Sequence, residues 1–226
     1  MSTAPQEKAI RHILKTGKAE HMVALLNHSE LYLNTIDWFR QADQNTERFD
    51  SFEGAVEIDQ VTWIKLRDEE GNEFELSRPD HPKHNPKHGV LRSAHVLTHQ
   101  DDLKGNIFSC TGIAVGEGQR FKKLDRRFAQ FGDAAILIEN PNQFLARVEQ
   151  ALQKMGLNYL ICPVTYYDPG SFIGKLGVFM KKDMHSYQHE VRIWVKSLSN
   201  APVKLRLGSL RDIAVIFKLD GILETA

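Results

Sequence analysis

Tyr187-Gln188-His189-Glu190-Val191-Arg192-Ile193-Trp194-Val195-Lys196 is rich in β-branched and aromatic residues and reads as a strand. A period of two turns Val191, Ile193 and Val195 toward a core and leaves Gln188, Glu190, Arg192, Trp194 and Lys196 on the opposite face. An amide and a carboxylate two residues apart on one strand leave the same face about 7 Å from each other, so Gln188 and Glu190 can serve one small site together. The same spacing also suits the polar face of an exposed strand.

The flanks extend the β-rich pattern. Residues 159–166 read as a strand, Asp168-Pro169-Gly170 as a turn, residues 172–182 as a helix or irregular approach, and residues 203–208 and 213–217 as strands. Residues 134–139 form a continuous apolar run, expected to be a buried strand. Asn140-Pro141 then opens a helix with the apolar stripe Phe144, Val148, Ala151 and Leu152. Residues 90–97 and 105–112 are expected to pair with each other. Nearer the N-terminus, residues 8–15 are compatible with a strand or a helix start, and residues 19–26 make an amphipathic helix ending at Asn27-His28-Ser29. Residues 30–35 make a strand with Leu31 and Leu33 inward and Tyr32 and Asn34 opposite. Residues 37–52 suit a helix or packed loop, residues 54–58 and 61–66 strands, and the turn at residues 68–72 a hairpin with residues 73–76. The expected class is α+β, one domain over residues 1–226, with no regular βαβ alternation.

Composition excludes several classes. Of 226 residues, 42% are hydrophobic and 26% charged, as in an ordinary globular protein. Lys plus Arg and Asp plus Glu both number 29, so nothing in the net charge indicates a partner bound by bulk electrostatics. Cys110 and Cys162 lie in apolar runs and are expected to be buried free thiols of a reducing cytoplasm. The N-terminal residues lack an apolar signal core and no run reaches the ~18–20 apolar residues of a membrane span, so a cytoplasmic location away from membranes is expected.

His81, His84 and His88 fall in a proline-rich loop without paired cysteines, a poor cage for zinc, and no metal is expected. Gly116-Glu117-Gly118 lacks the third glycine of a dinucleotide fingerprint, and no P-loop, HExxH or nucleophile elbow is present. Arg120, Lys122, Lys123, Arg126 and Arg127 interleave with Phe121, Leu124 and Phe128, which fits a solvated helix face or a ridge guiding a polyanion.

The Q-x-E pair Gln188/Glu190 on a late strand resembles the mono-ADP-ribosyltransferases of the arginine, serine and glutamate clade. Phe108-Ser109-Cys110-Thr111 looks like a variant of the clade's S-T-S motif, with cysteine in the middle place and threonine at the end. The clade's first motif, an arginine or histidine on the opening strand, falls on Arg11 or His12, and Arg40 answers to an arginine that follows an early strand in DNA-modifying relatives. The chain is also similar to bacterial phage-defence toxin transferases and to a related uncharacterised bacterial domain family. The resemblance implies an ADP-ribosyltransferase-like split β-sheet core with flanking helices and NAD as substrate. It also implies a nucleic acid or protein as acceptor, and a cognate antitoxin as a partner.

On that reading Glu190 stabilises the oxocarbenium-like transition state and Gln188 aligns the incoming nucleophile. Arg11, His12, Tyr32, Thr35, Arg40, Ser109 and Thr111 would surround the dinucleotide: an arginine on the pyrophosphate, Tyr32 on the nicotinamide or in ordinary packing, and the hydroxyls of Ser109 and Thr111 on ribose or on Glu190. The alternative is a non-catalytic nucleic-acid-binding or toxin-partner module in which Gln188 and Glu190 are surface residues and Arg120 to Arg127 form the contact.

Overall fold

The computed structural model describes residues 9–41, 50, 52–85, 87, 89–92, 94–99, 104–114, 122–197 and 199–224. His88, Gly116, Glu117, Gly118, Arg120 and Phe121 lie outside them, so the glycine pattern and the start of the basic run have no structural account. The chain opens with β1 (His12–Gly17), α1 (Ala19–His28), β2 (Glu30–Thr35) and α2 (Ile36–Gln41). An excursion follows, made of β3 (Ala55–Gln60), β4 (Trp63–Arg67), β5 (Glu73–Ser77), β6 (Gly89–Val90) and β7 (His95–His99). Next come β8 (Gly105–Ile113), β9 (Ala134–Ile138), α3 (Pro141–Lys154), β10 (Tyr159–Pro163), β11 (Thr165–Tyr167), β12 (Gly174–Lys175) and β13 (Met180–Lys182). β14 (Glu190–Lys196), β15 (Val203–Arg206) and β16 (Ala214–Lys218) complete the sheet. The class is α+β, with mostly antiparallel sheets and few helices.

The main sheet runs β10-β14-β8-β1-β9-β16, and β2 joins it through β8 and carries β15 on its other side. β8 is the hinge of this arrangement. Along one edge it pairs with β14 from Glu190↔Thr111 to Lys196↔Gly105. Along the other edge β1 is in register with residues 111–113 and β2 with residues 106–107. Residues 108–110 therefore lie opposite the gap where the sheet divides into a β1-β9-β16 wing and a β2-β15 wing.

Alternation decides what each face holds. Val191, Ile193 and Val195 are buried in the same cluster as Phe144, Val148 and Leu152 of α3 and Met22, Leu25 and Leu26 of α1. Glu190 and Arg192 take the opposite face of β14 and are nevertheless buried. α3 starts as its sequence predicts, with the Asn140 side chain accepting from the Gln143 N–H at 3.0 Å and Pro141 in the first turn. At the other wing Asp133 caps α1 by accepting from the Ala19 N–H at 2.8 Å. The neighbouring Gly132 has φ of 151°, and a Cβ there would come within 2.1 Å of the Gly17 backbone.

Several local expectations give way to long-range pairing. Residues 90–97 do not pair with residues 105–112: β7 pairs with β3, while β8 becomes the centre of the main sheet. The expected strand over residues 159–166 breaks at Val164, whose N–H turns to donate to the Glu190 carbonyl at 2.9 Å, and β11 then runs parallel to β13. Cys110 is buried and Cys162 is exposed, because β10 is the outermost strand and presents Leu160 and Cys162 on its uncovered face.

The two free thiols consequently differ in reactivity. Burial pushes the Cys110 thiol up to about 12. A thiol-specific reagent is expected to label Cys162 alone in the folded protein and both cysteines in denaturant. Equal labelling rates under native conditions would contradict the register of β8 between β14 and the two wings.

Candidate functional site

The gap in the sheet opens into a cavity of about 550 Å³, within the range of small-molecule sites. One wing contributes Leu14 to Lys18 and, from α1, His21 and Met22. The other contributes Glu30, Tyr32 and Asn34, with Trp38 and Phe39 of α2. The floor is Ile107 to Thr111 of β8 with Lys181, Gln188, Glu190, Arg192 and Glu53. Tyr32 and Trp38 keep 47% and 41% of their surface exposed, so flat aromatic faces remain open to a ligand. At the division itself the Ser109 carbonyl accepts from Lys15 Nζ at 2.7 Å, and that ammonium lies over the Phe108 ring at 4.6 Å.

Ser109 and Thr111 share the face of β8 that adjoins Glu190 and Arg192, with Ser109 opposite Arg192 and Thr111 opposite Glu190. Among the described residues, Glu190 Oε1 accepts from Ser109 Oγ at 2.6 Å and from Arg192 Nε at 2.5 Å, and Oε2 accepts from Lys181 Nζ at 2.9 Å. A carboxylate offers about four lone-pair directions, so one position on Oε2 is not taken by a described residue. Arg192 turns the rest of its guanidinium on Glu53, with both contacts at 2.8 Å, and on the Val178 carbonyl at 2.5 Å. Lys182 pairs with Asp50 at 3.2 Å, so among the described residues Glu190, Glu53 and Asp50 are each paired with a cation, Arg192, Lys181 or Lys182.

Charge states follow from these contacts. Burial pushes the Glu190 carboxyl up, but Arg192, Lys181 and the hydrogen bonds from Ser109 and Arg192 hold it well below the usual carboxylate range. Burial pushes the Glu53 carboxyl up, Arg192 opposes that without reversing it, and the neighbouring Asp50 adds to the rise. The Arg192 guanidinium, resisting the downward pull of burial, is held further up by Glu190 and Glu53. Glu190 is thus held in its ionised form with little basicity, suited to opposing positive charge and accepting a hydroxyl hydrogen bond.

The structure brings together Tyr32, Ser109, Thr111, Gln188 and Glu190 on the cavity wall. Gln188 arrives there differently from the expected strand geometry. β14 begins at Glu190, Gln188 ends the 3-10 turn Asp183–Gln188, and His189 between them has φ of 41°, so the two side chains are not one pleat apart. Gln188 Oε1 instead accepts from Lys181 Nζ at 2.9 Å and its Nε2 donates to Tyr187 Oη at 3.1 Å.

Arg11, His12, Thr35 and Arg40 do not line the cavity. Arg11 precedes β1 and is exposed. His12 starts that strand opposite Ile113. Thr35 Oγ accepts from the Trp38 N–H at 3.1 Å, fixing the start of α2. Arg40 donates to the Glu53 and Gly54 carbonyls at 2.6 and 3.3 Å, so it braces the segment that carries Glu53 without reaching the cavity.

Glu53, Lys181, Lys15, Lys18 and Trp38 are site residues that sequence reasoning missed, and Arg192 has a strand face in that reasoning but no role. Lys15 carries a weak signal, since Ile13 and Lys15 share one side of a strand reading of residues 8–15. Glu53 and Lys181 sit in segments with no periodicity to mark them. In the histidine loop, His84 Nδ1 lies 2.9 Å from Ser77 Oγ and His81 Nδ1 accepts from the Lys83 N–H at 3.1 Å. No cluster of three or more metal-binding side chains is present among the described residues. In the basic run, Arg127 is committed to Asp125 and to the Tyr187 ring, 3.6 Å from its centroid. No described helix is long and apolar enough to cross a membrane. No family model, no curated protein and no solved structure matches this chain.

Proposed function

We propose that this protein is an NAD-dependent mono-ADP-ribosyltransferase with an ADP-ribosyltransferase-like split sheet, modifying a nucleic acid or a protein as an intracellular toxin or phage-defence effector. The observation that carries this reading is the ionised Glu190 carboxylate on the wall of a mixed aromatic and cationic cavity, with Ser109 donating to one of its oxygens and an acceptor position on the other that no described residue takes.

The reaction breaks the bond between the nicotinamide nitrogen and the anomeric carbon of ribose. The bonding electrons leave with nicotinamide, the sugar gains oxocarbenium character, and an acceptor oxygen or nitrogen forms the new bond and gives up its proton. A fixed negative group under the sugar accepts the 2′-hydroxyl hydrogen bond and grows more stabilising as positive charge develops, so it lowers the barrier more than it tightens binding. Gln188 carries both donor and acceptor and suits alignment of the arriving nucleophile. Tyr32 and Trp38 offer stacking faces. The pyrophosphate role considered for Arg11 and Arg40 passes in this proposal to Lys15 and Lys18, two cations of the β1 wing that line the cavity.

Incubating the purified chain with NAD labelled in its adenylate part and mixed cellular RNA, DNA and protein tests the proposal. Label transferred to a macromolecule with equimolar nicotinamide release is the expected result. Release of free ADP-ribose without transfer would make the protein an NAD hydrolase on the same site. Salt-sensitive nucleic-acid binding with no NAD consumption would overturn the enzymatic reading in favour of a binding module.

A further inference from the structure

Gln188 and Glu190 are separated by a residue in the left-handed region, so the backbone does not hold an amide and a carboxylate at one fixed spacing as a continuous strand would. Their head groups meet through a third side chain, since Lys181 Nζ donates to Gln188 Oε1 and to Glu190 Oε2, both at 2.9 Å. We infer that Lys181 is a positioning residue that clamps Gln188 beside Glu190 at the cavity wall, an inference that rests on the transferase reading of this site. Charge balance alone does not account for the contact: Arg192 already neutralises part of this set, and a bond to the neutral amide of Gln188 adds nothing to that balance.

The clamp is itself anchored. Lys181 is buried on β13, which runs parallel to β11, and Tyr166 of β11 accepts the Glu190 backbone N–H at 2.8 Å. β11 and β13 together therefore hold the main chain and the side chain of Glu190 from one side, while Ser109 of β8 and Arg192 of β14 hold it from the other. Among the described residues Glu53, Tyr187 and Gln188 also touch the set, and Thr111, Cys110 and Asp50 lie beside it. An ammonium with three donors can bind two acceptors in different directions at once, which a planar fork already committed to a carboxylate cannot do as readily.

The test compares wild type, Lys181→Met, Lys181→Arg, Gln188→Ala and the Lys181→Met/Gln188→Ala double variant in the full chain. NAD turnover is read together with the Glu190 carboxyl titration by carbon-detected NMR. Lys181→Met is expected to lower kcat about 10²-fold, the scale of a misplaced reacting group, with little change in KM for NAD. Adding Gln188→Ala should cost little more, since both changes undo one arrangement. The Glu190 midpoint should rise by at least about one pH unit in Lys181→Met and stay in place in Gln188→Ala. Lys181→Arg, which keeps charge and donors, should recover part of the lost kcat.

Wild-type kcat with an unmoved midpoint in folded Lys181→Met, or fully additive losses in the double variant, would overturn the clamp while leaving the transferase reading intact. If wild type consumes no NAD, the transferase reading fails, and the Glu190 midpoints decide whether Lys181 holds the carboxylate. If Lys181→Met does not fold, unchanged kcat in Gln188→Ala overturns the clamp, and a lowered kcat at an unmoved Glu190 midpoint supports it.

Discussion

Glu190→Gln is expected to lower NAD turnover by roughly 10³-fold or more, the scale seen when a preorganised charge or donor aimed at the transition state is removed. The amide keeps the size of the side chain and can still accept from Ser109, but it no longer opposes the charge that develops on the sugar. From the sequence alone such an isosteric change would leave the fold untouched. The structure adds a second effect, because Glu190 is the shared partner of Arg192 and Lys181, both buried. Removing one charge from such a set costs about 3–5 kcal/mol, which lowers the melting temperature of a chain this long by about 6–20 °C. Turnover must therefore be compared well below the variant's melting point, with circular dichroism confirming the folded state. Substantial transfer by a folded Glu190→Gln protein would remove Glu190 from the reaction.

The parts of the site that could be read from the sequence are those set by strand alternation. Val191, Ile193 and Val195 turn to the core and leave Glu190 and Arg192 on the other face, while Ser109 and Thr111 share a face of β8 by the same rule. What alternation does not carry is which strands meet. The division of the sheet depends on β1 and β2 pairing with opposite ends of β8, Leu14 with Thr111 and Asn34 with Ile107, and no local pattern encodes those separations. Lys181 comes from a three-residue strand and Glu53 from a turn, segments whose charged residues look like ordinary surface, and only the tertiary fold buries them. The left-handed residue at His189 carried only a faint signal, since histidine is enriched at positive φ among non-glycine residues but adopts it in a small minority of cases. Gln188 nonetheless reaches the predicted neighbour by another route, through a lysine in place of a shared pleat.

Arg192→Met is expected to be as destabilising as Glu190→Gln, with a pH dependence of its own. Arg192 is 2% exposed and joins Glu190 to Glu53, so its loss leaves two buried carboxylates without their common partner. The cost is about 3–5 kcal/mol at neutral pH, or about 6–20 °C in melting temperature. The pH dependence has a definite sign. Burial already raises the Glu53 carboxyl even with Arg192 present, and Arg192 is the leading cause that lowers Glu190, so in the variant both move upward. A carboxyl whose folded pKa lies above its unfolded value favours the folded state below the unfolded value, and that advantage is lost as pH rises through the folded value. The deficit of Arg192→Met relative to wild type should therefore be smaller at about pH 4.5–5 than at about pH 7.5. Adding Glu53→Gln, which removes one of the stranded anions, should restore part of the lost stability instead of deepening it. Thermal melts of the two variants and wild type at both pH values check this. A deficit independent of pH, together with additive losses in the double variant, would mean that Arg192 supports the fold by packing alone, and that the charge state assigned to Glu190 does not depend on it.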